Sequence, residues 1–180
     1  MKILLIISTV LLISACIFFI YYGGLIKITP VLSLSGGETL AYREVIGNYR
    51  QSGPVSNEIY DQLQKKIKLE TFRGFGIYYD EPGKVEDEKL RSDVGCIIEK
   101  KDSDKINLIK NFLLVKTLPE KKYLTVEFPY RNPLSSLMGI FKVYPVLKKE
   151  AQKINPGFEG SVMEIWDIPQ KKIFYRKEIE

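Results

Sequence analysis

Histidine is absent from the 180 residues of this chain. That absence removes Ser-His-Asp and Cys-His nucleophile pairs, imidazole general bases and His-ligated zinc together. Only two cysteines occur, Cys16 and Cys96, so neither an all-thiolate tetrahedral metal site nor a disulfide framework can be built. No metal site or cofactor is expected, and any chemistry falls to carboxylates, Lys, Tyr, Ser or Thr. Charge of one sign is also scarce, with 27 basic residues against 22 acidic ones. Without a strong basic excess, a helix-turn-helix pattern or an RNA-binding aromatic motif, nucleic acid is not an expected partner. The Lys pairs, such as Lys65-Lys66 and Lys148-Lys149, are scattered and read as solvated surface.

What is present is unevenly spread. No charge lies between Lys2 and Lys27, and only Ser8, Thr9 and Ser14 interrupt the apolar run ILLIISTVLLISACIFFIYY at 3–22. About 20 such residues cross a bilayer as a helix, and Tyr21 and Tyr22 at its end suit the interfacial aromatic belt. The expected organisation is a single-pass transmembrane anchor at 1–26, a tether at 27–37 ended by Gly36-Gly37, and one domain at 38–180. A cleaved signal peptide has a shorter apolar core of about 7–15 residues. Ile13-Ser14-Ala15-Cys16 resembles a lipoprotein processing site, which would place a lipid on Cys16, but the residues after it stay apolar. Basic residues flank the span almost evenly, so the side of the membrane that the domain faces is left open. Ile28 to Glu180 hold 25 basic and 22 acidic residues, and a domain of that length buries about 70% of its unfolded surface without a metal or disulfide staple.

Periodicity predicts an α+β fold of tandem βαββ units that build an antiparallel sheet with two main helices. In the first unit, Glu38–Tyr49 reads as a strand and Pro54 suits a helix's first turn. Val55, Ile59, Leu63 and Ile67 recur every fourth residue, the stripe of a helix lying on a sheet. Phe75–Asp80 and Leu90–Glu99 follow as strands around a Glu81-Pro82-Gly83 turn, with Gly95 as a bulge or close-approach point. Ile106–Thr117 reads as a connecting helical turn and a strand. The second unit has a strand at Tyr123–Tyr130 and a helix opened by Pro133. That helix is expected to show an apolar face of Leu134, Leu137, Met138, Phe141 and Tyr144, and a kink or restart at Pro145. Strands at Ser161–Asp167 and Lys171–Arg176 close the chain. Tyr79-Asp80-Glu81-Pro82 and Trp166-Asp167-Ile168-Pro169 echo one another at an offset of 87 residues, 79 to 166.

Alternation puts Glu164 and Trp166 on one strand face, and the offset places Tyr79 at the equivalent position of the first unit. If the units pack about a pseudo-twofold axis, Glu164, Trp166 and Tyr79 converge, with Tyr42 and Tyr130 from the opening strands as further walls. A carboxylate among ring faces is a recipe for holding a flat or cationic organic molecule, each ring attracting a cation by about 0.5–2 kcal/mol. The plainer interpretation is a solvated Glu beside packed aromatics. Asp80 and Asp167 read as turn residues, Asn57, Glu58 and Asp61 as a helix's polar side, Cys96 as a small core residue, and Arg91-Ser92-Asp93 as a surface pairing set.

Five stretches carry a family resemblance: LAYREVIGNY (Leu40–Tyr49), GIYYDEPGKVEDEKLRSDVGCII (Gly76–Ile98), VEFPY (Val126–Tyr130), FKVYP (Phe141–Pro145) and MEIWD (Met163–Asp167). Together they resemble the GyrI-like (gyrase-inhibitor-like) small-molecule-binding domain, and in particular its membrane-anchored, reticulophagy-receptor type. The resemblance implies a tandem βαββ fold with a pocket between its halves and matches Glu164 to the family's pocket acid, with Trp166 where the family often has Tyr. It implies a small organic ligand, aromatic or cationic or both. Two alternatives accompany it. One is hydrolysis of cyclopropane-type electrophiles, with Glu164 and Tyr79 as the catalytic pair. The other is a membrane adaptor with a protein partner, for which this chain, ending at Glu180, lacks the receptor type's C-terminal tail.

Overall fold

A computed structural model describes residues 2–180. The apolar segment forms one helix, α1 (Lys2–Tyr21), with none of its residues buried against the rest of the protein. Ser8 and Thr9 return their hydroxyls to the Leu5 carbonyl at 2.9 and 2.8 Å, the usual way a lone hydroxyl is satisfied on an apolar helix. The helix is long and apolar enough to cross a membrane, a description that a signal sequence near the N-terminus equally meets.

The remaining elements run β1 (Val31–Ser35), β2 (Thr39–Ile46), α2 (Ser52–Ile67), β3 (Arg73–Tyr78), β4 (Arg91–Ile98), α3 (Ile106–Ile109), β5 (Leu114–Thr117), β6 (Lys121–Pro129), α4 (Pro133–Ile154), β7 (Val162–Asp167) and β8 (Lys172–Glu178). The fold is α+β, and the eight strands form one antiparallel sheet in the order β1-β6-β8-β7-β3-β4-β2-β5. The two units expected from the sequence are β2-α2-β3-β4 and β6-α4-β7-β8, joined through β3 and β7 at the sheet's centre. Val31–Ser35 lies within the stretch expected to act as a tether, yet it pairs along β6. Each unit therefore gains an opening strand, and the two are exchanged. β1 of the first half borders the second half's β6, and β5 of the second borders the first half's β2.

One register carries through both edges, from Val31↔Thr125 to Tyr42↔Leu114. The two edges are thus one long ribbon, bent where Gly36-Gly37-Glu38 passes Leu118-Pro119-Glu120. Gly37 donates to the Leu118 carbonyl at 2.7 Å and Leu118 to the Glu38 carbonyl at 2.9 Å. Gly36 (φ +133°) is required there, since a Cβ would sit 2.4 Å from the Pro119 oxygen. The bend folds the sheet around a small enclosed core of Leu40, Phe75, Ile77, Ile97, Met163 and Ile165.

The other face carries α2 and α4. Ile59 and Leu63 of α2 are fully buried with Val55 and Ile67 beside them, so the expected stripe is the packing stripe. Gly95 is a close-approach point and not a bulge: it pairs directly with Tyr42, and a Cβ would lie 2.0 Å from the Ala41 oxygen. The expected apolar face of α4 is corrected in part: Met138 and Tyr144 pack against the core, and the other three do not. Ser135, Gly139, Val143, Leu147 and Ala151 face the sheet, whereas Leu134, Leu137 and Phe141 are 46, 50 and 69% exposed. Small residues bring α4 low enough for the Tyr175 ring to fit beneath Gly139, where a Cβ would meet its hydroxyl at 2.1 Å. Nor does Pro145 restart the helix, which runs unbroken over 22 residues. The carbonyl it leaves without a donor belongs to Phe141, on the exposed side where water can serve it. Asn132 caps the start, its side chain accepting from Leu134 N–H at 3.0 Å.

Candidate functional site

Between α2 and α4, above the β3–β7 junction, lies a cavity of about 1270 Å³. Its floor follows from strand parity. Gly74, Gly76 and Tyr78 of β3 point to the helix face, and Gly74 and Gly76 stand directly opposite Trp166 and Glu164 of β7. Two bare backbone positions thus leave room around the Trp166 and Glu164 side chains of the neighbouring strand. Tyr78 folds its phenol back over Gly76, 2.7 Å from where a Cβ would be.

Glu164 is 2% exposed and pairs with no cationic side chain within the described residues. Its one side-chain partner is Tyr144 on α4, whose hydroxyl donates to Oε1 at 2.6 Å. Burial pushes the Glu164 carboxyl up to about 7, with the Tyr144 hydrogen bond pulling weakly the other way. Tyr144 and Tyr175, ring centroids 6.0 Å apart and edge to face, complete an aromatic shell with Tyr78. Burial, followed by the Glu164 charge, raises all three phenols above the usual tyrosine range. They stay neutral donors at any physiological pH.

Trp166 lines the cavity on the same face as Glu164 and donates from Nε1 to Ser136 Oγ at 3.1 Å, which fixes the indole plane. Tyr130 also lines it, from the turn after β6, its N–H bonded to the Lys171 carbonyl at 2.8 Å. On the α2 side, the buried side chains of Ser52 and Thr71 line the same space, Ser52 beside the Tyr78 phenol and Thr71 beside the Cys96 thiol. At one end Lys148 grips Glu81 at 2.6 and 2.9 Å, and Lys84 pairs with Glu159. These bridges tie the β3–β4 loop to α4 and to the segment before β7; being surface pairs, they add little to stability.

The structure places Glu164, Trp166, Tyr130 and Tyr79 on the lining of one cavity and leaves Tyr42 outside it. The Tyr79 hydroxyl, however, donates to Asp93 Oδ2 at 2.7 Å, and Asp93 stands opposite Ile77 on the enclosed face. Tyr42 packs against the enclosed core beneath the Lys116 ammonium, 4.5 Å from its ring centroid, and Lys116 also pairs with Asp93. The physical reason is register. An offset of 87 pairs residues of opposite parity, and one residue of slip turns a strand side chain to the other face. Tyr78, not Tyr79, shares the face of Trp166. The expected hydrolytic pair of Glu164 and Tyr79 is therefore not assembled, and the phenol on the acid is Tyr144. That residue was legible: Ser136, Ile140, Tyr144 and Lys148 recur every fourth position as a second stripe of α4, and all four line the cavity. No group of three or more His, Cys, Asp or Glu side chains among the described residues is arranged to hold a metal.

No family model matches the chain. Among curated proteins it is similar to the mouse testis-expressed protein 264 homolog, 29% identical over 115 residues that make 61% of this chain and 35% of that one. It is also similar to human testis-expressed protein 264, 29% identical over 148 residues that make 77% of this chain and 45% of the relative. The chain thus spans less than half the length of the curated relatives it matches. Among solved structures, the EcmrR C-terminal domain superposes with a TM-score of 0.58 at 11% identity, covering 86% of this chain and 99% of that domain. SAV2435 bound to tetraphenylphosphonium superposes with a TM-score of 0.51 at 13% identity, covering 83% and 92%. At such low identity these likenesses establish a shared fold, one consistent with the GyrI-like domain expected from the sequence.

Proposed function

We propose that this chain is a membrane-tethered GyrI-like module that binds a small organic cation carrying aromatic or apolar bulk in the cavity above β3 and β7. One observation carries the reading: Glu164 is a buried acid with a single neutral partner, facing a cavity walled by rings. A carboxylate in that position is costly unless a counter-charge arrives, and its proton affinity rises accordingly. An organic cation supplies the counter-charge, displaces the proton and stacks on Trp166, each ring face adding about 0.5–2 kcal/mol. Support comes from the fold shared with SAV2435, a protein solved with tetraphenylphosphonium bound, and from α1, whose length and composition suit a membrane span.

The proposal fixes a pH profile. Cation binding requires the ionised carboxyl, which burial pushes up to about 7. Affinity should fall about tenfold per pH unit below 7 and level off above about 8. Titration of the full chain with tetraphenylphosphonium between pH 5.5 and 8.5, by calorimetry, reads this directly. Glu164→Gln should weaken binding at pH 8 by at least about tenfold, near 1.4 kcal/mol, and abolish the pH dependence; Trp166→Ala should weaken it and leave the slope intact. Binding that is flat with pH and indifferent to both substitutions would sink the proposal.

A further inference from the structure

The corrected orientation of α4 leaves an apolar surface unexplained. Leu134, Leu137, Ile140 and Phe141, spaced three and four apart, are 46, 50, 41 and 69% exposed on a helix whose buried stripe is Ser135, Gly139 and Val143. Soluble surfaces rarely gather such residues without something to cover them.

What covers them is indicated by how α1 leaves the domain. Just before the exit, the Arg131 guanidinium sits 4.2 Å over the Tyr21 ring, and Asn132 Nδ2 donates to the Tyr22 hydroxyl at 2.7 Å. Ten residues along α4, Lys142 Nζ donates to the carbonyls of Gly23 at 3.0 Å and Ile26 at 2.7 Å, and to that of Gly24. Gly23 has φ +87° and lies so close to Phe128 that a Cβ would come within 2.9 Å of the ring. The exit segment is therefore fastened at both ends of the first three turns of α4, a length of about 15 Å, and cannot swing free of them. A span entering lipid at Tyr21 holds those turns at the membrane boundary. The exposed apolar residues lie within the bracketed stretch. Charge agrees: Lys27, Arg131 and Lys171 stand exposed around the exit, and none forms an ion pair among the described residues. Basic side chains in that position attract anionic headgroups. Pro133, Ile140 and Phe141 line the cavity as well as the exposed surface, so the two are continuous.

We infer that the first three turns of α4 rest on the lipid bilayer, so that the cavity opens at the lipid–water boundary and takes an amphiphilic cation from the membrane. This rests on the tethered, cation-binding reading above and adds the source of the ligand to it. Trp166 is the chain's only tryptophan, which makes single-tryptophan variants simple. The full chain is reconstituted in vesicles of phosphatidylcholine and phosphatidylserine, and flotation first establishes insertion. In a Trp166→Phe background, Phe141→Trp is compared with Leu114→Trp, an exposed position on the sheet's far edge, using lipids brominated high on their acyl chains. Quenching at 141 is expected to exceed that at 114 by about threefold or more. Leu137→Trp provides the same reading should the first variant fail to fold. In the unsubstituted chain, hexadecyltrimethylammonium held in the bilayer should shift Trp166 emission at bulk concentrations where tetramethylammonium does not. Equal quenching at the two positions overturns the inference. In that case insertion and tetraphenylphosphonium binding would persist and the broader reading would stand. Failure to float removes tethering and this inference together.

Discussion

At the scale of single residues, Glu164 sets the terms for the rest of the site. Its carboxyl titrates at about 7 in the folded chain against an ordinary 4.5, so the native state binds that proton more tightly than the unfolded state does. Below about pH 4.5 both states are protonated and nothing is lost. As pH rises towards 7 the unfolded chain ionises first and stability declines, by about 3 kcal/mol in total once the folded group has ionised too. Glu164→Gln keeps an oxygen for the Tyr144 hydroxyl and removes the charge. Without ligand, the variant should therefore outlast the parent in urea at pH 8 by up to about 3 kcal/mol and match it at pH 4.5. Equal stability at pH 8 would mean that the acid is not desolvated.

At the scale of elements, glycine placement decides which faces are usable. Gly139 lets the Tyr175 ring pass beneath α4, and Tyr175 in turn packs edge to face with Tyr144. Gly139→Ala should destabilise the domain by about 1–3 kcal/mol and weaken cation binding through the displaced phenols. Gly53, helical and with nothing within 4 Å of a built Cβ, offers the opposite case. Gly53→Ala should stabilise by about 0.5 kcal/mol, and thermal melts of the two variants separate the effects. The same contrast explains what was legible beforehand. The stripe of α2 was readable because its buried positions, Ile59 and Leu63, are large and apolar. The buried side of α4 was not, because Ser135, Gly139 and Ala151 carry little hydrophobic signal while Leu134 and Phe141 advertise the wrong face. That Glu164 and Trp166 share a strand face was readable because alternation along a strand is a local property. Tyr78 and Tyr79 were confused because two adjacent tyrosines fit either parity, and only cross-strand pairing chooses between them.

At the scale of the whole molecule, exchange of opening strands was invisible to a sequential reading. Val31–Ser35 is too short and too exposed to announce itself, and its partner β6 lies some 90 residues away in the chain. Exchange makes the halves interdependent. Residues 27–112 alone would present an unpaired β1 and an uncovered β2 edge, and residues 113–180 the mirror deficiency. Produced separately, neither should yield a folded monomer; mixed, they should combine one to one, as size-exclusion and circular dichroism would record. A monomeric half with native strand content would contradict the exchange.

The central junction holds Gly76 directly across from Glu164. Were the molecule a pair of identical polypeptides, symmetry would oblige both strands to carry the same amino acid there: two acids repelling each other in a dry interior, or two glycines and no counter-ion at all. Tandem fusion lifts that obligation. One copy furnishes the acid and the other steps aside to make space for it, which gives the chamber a single polarity.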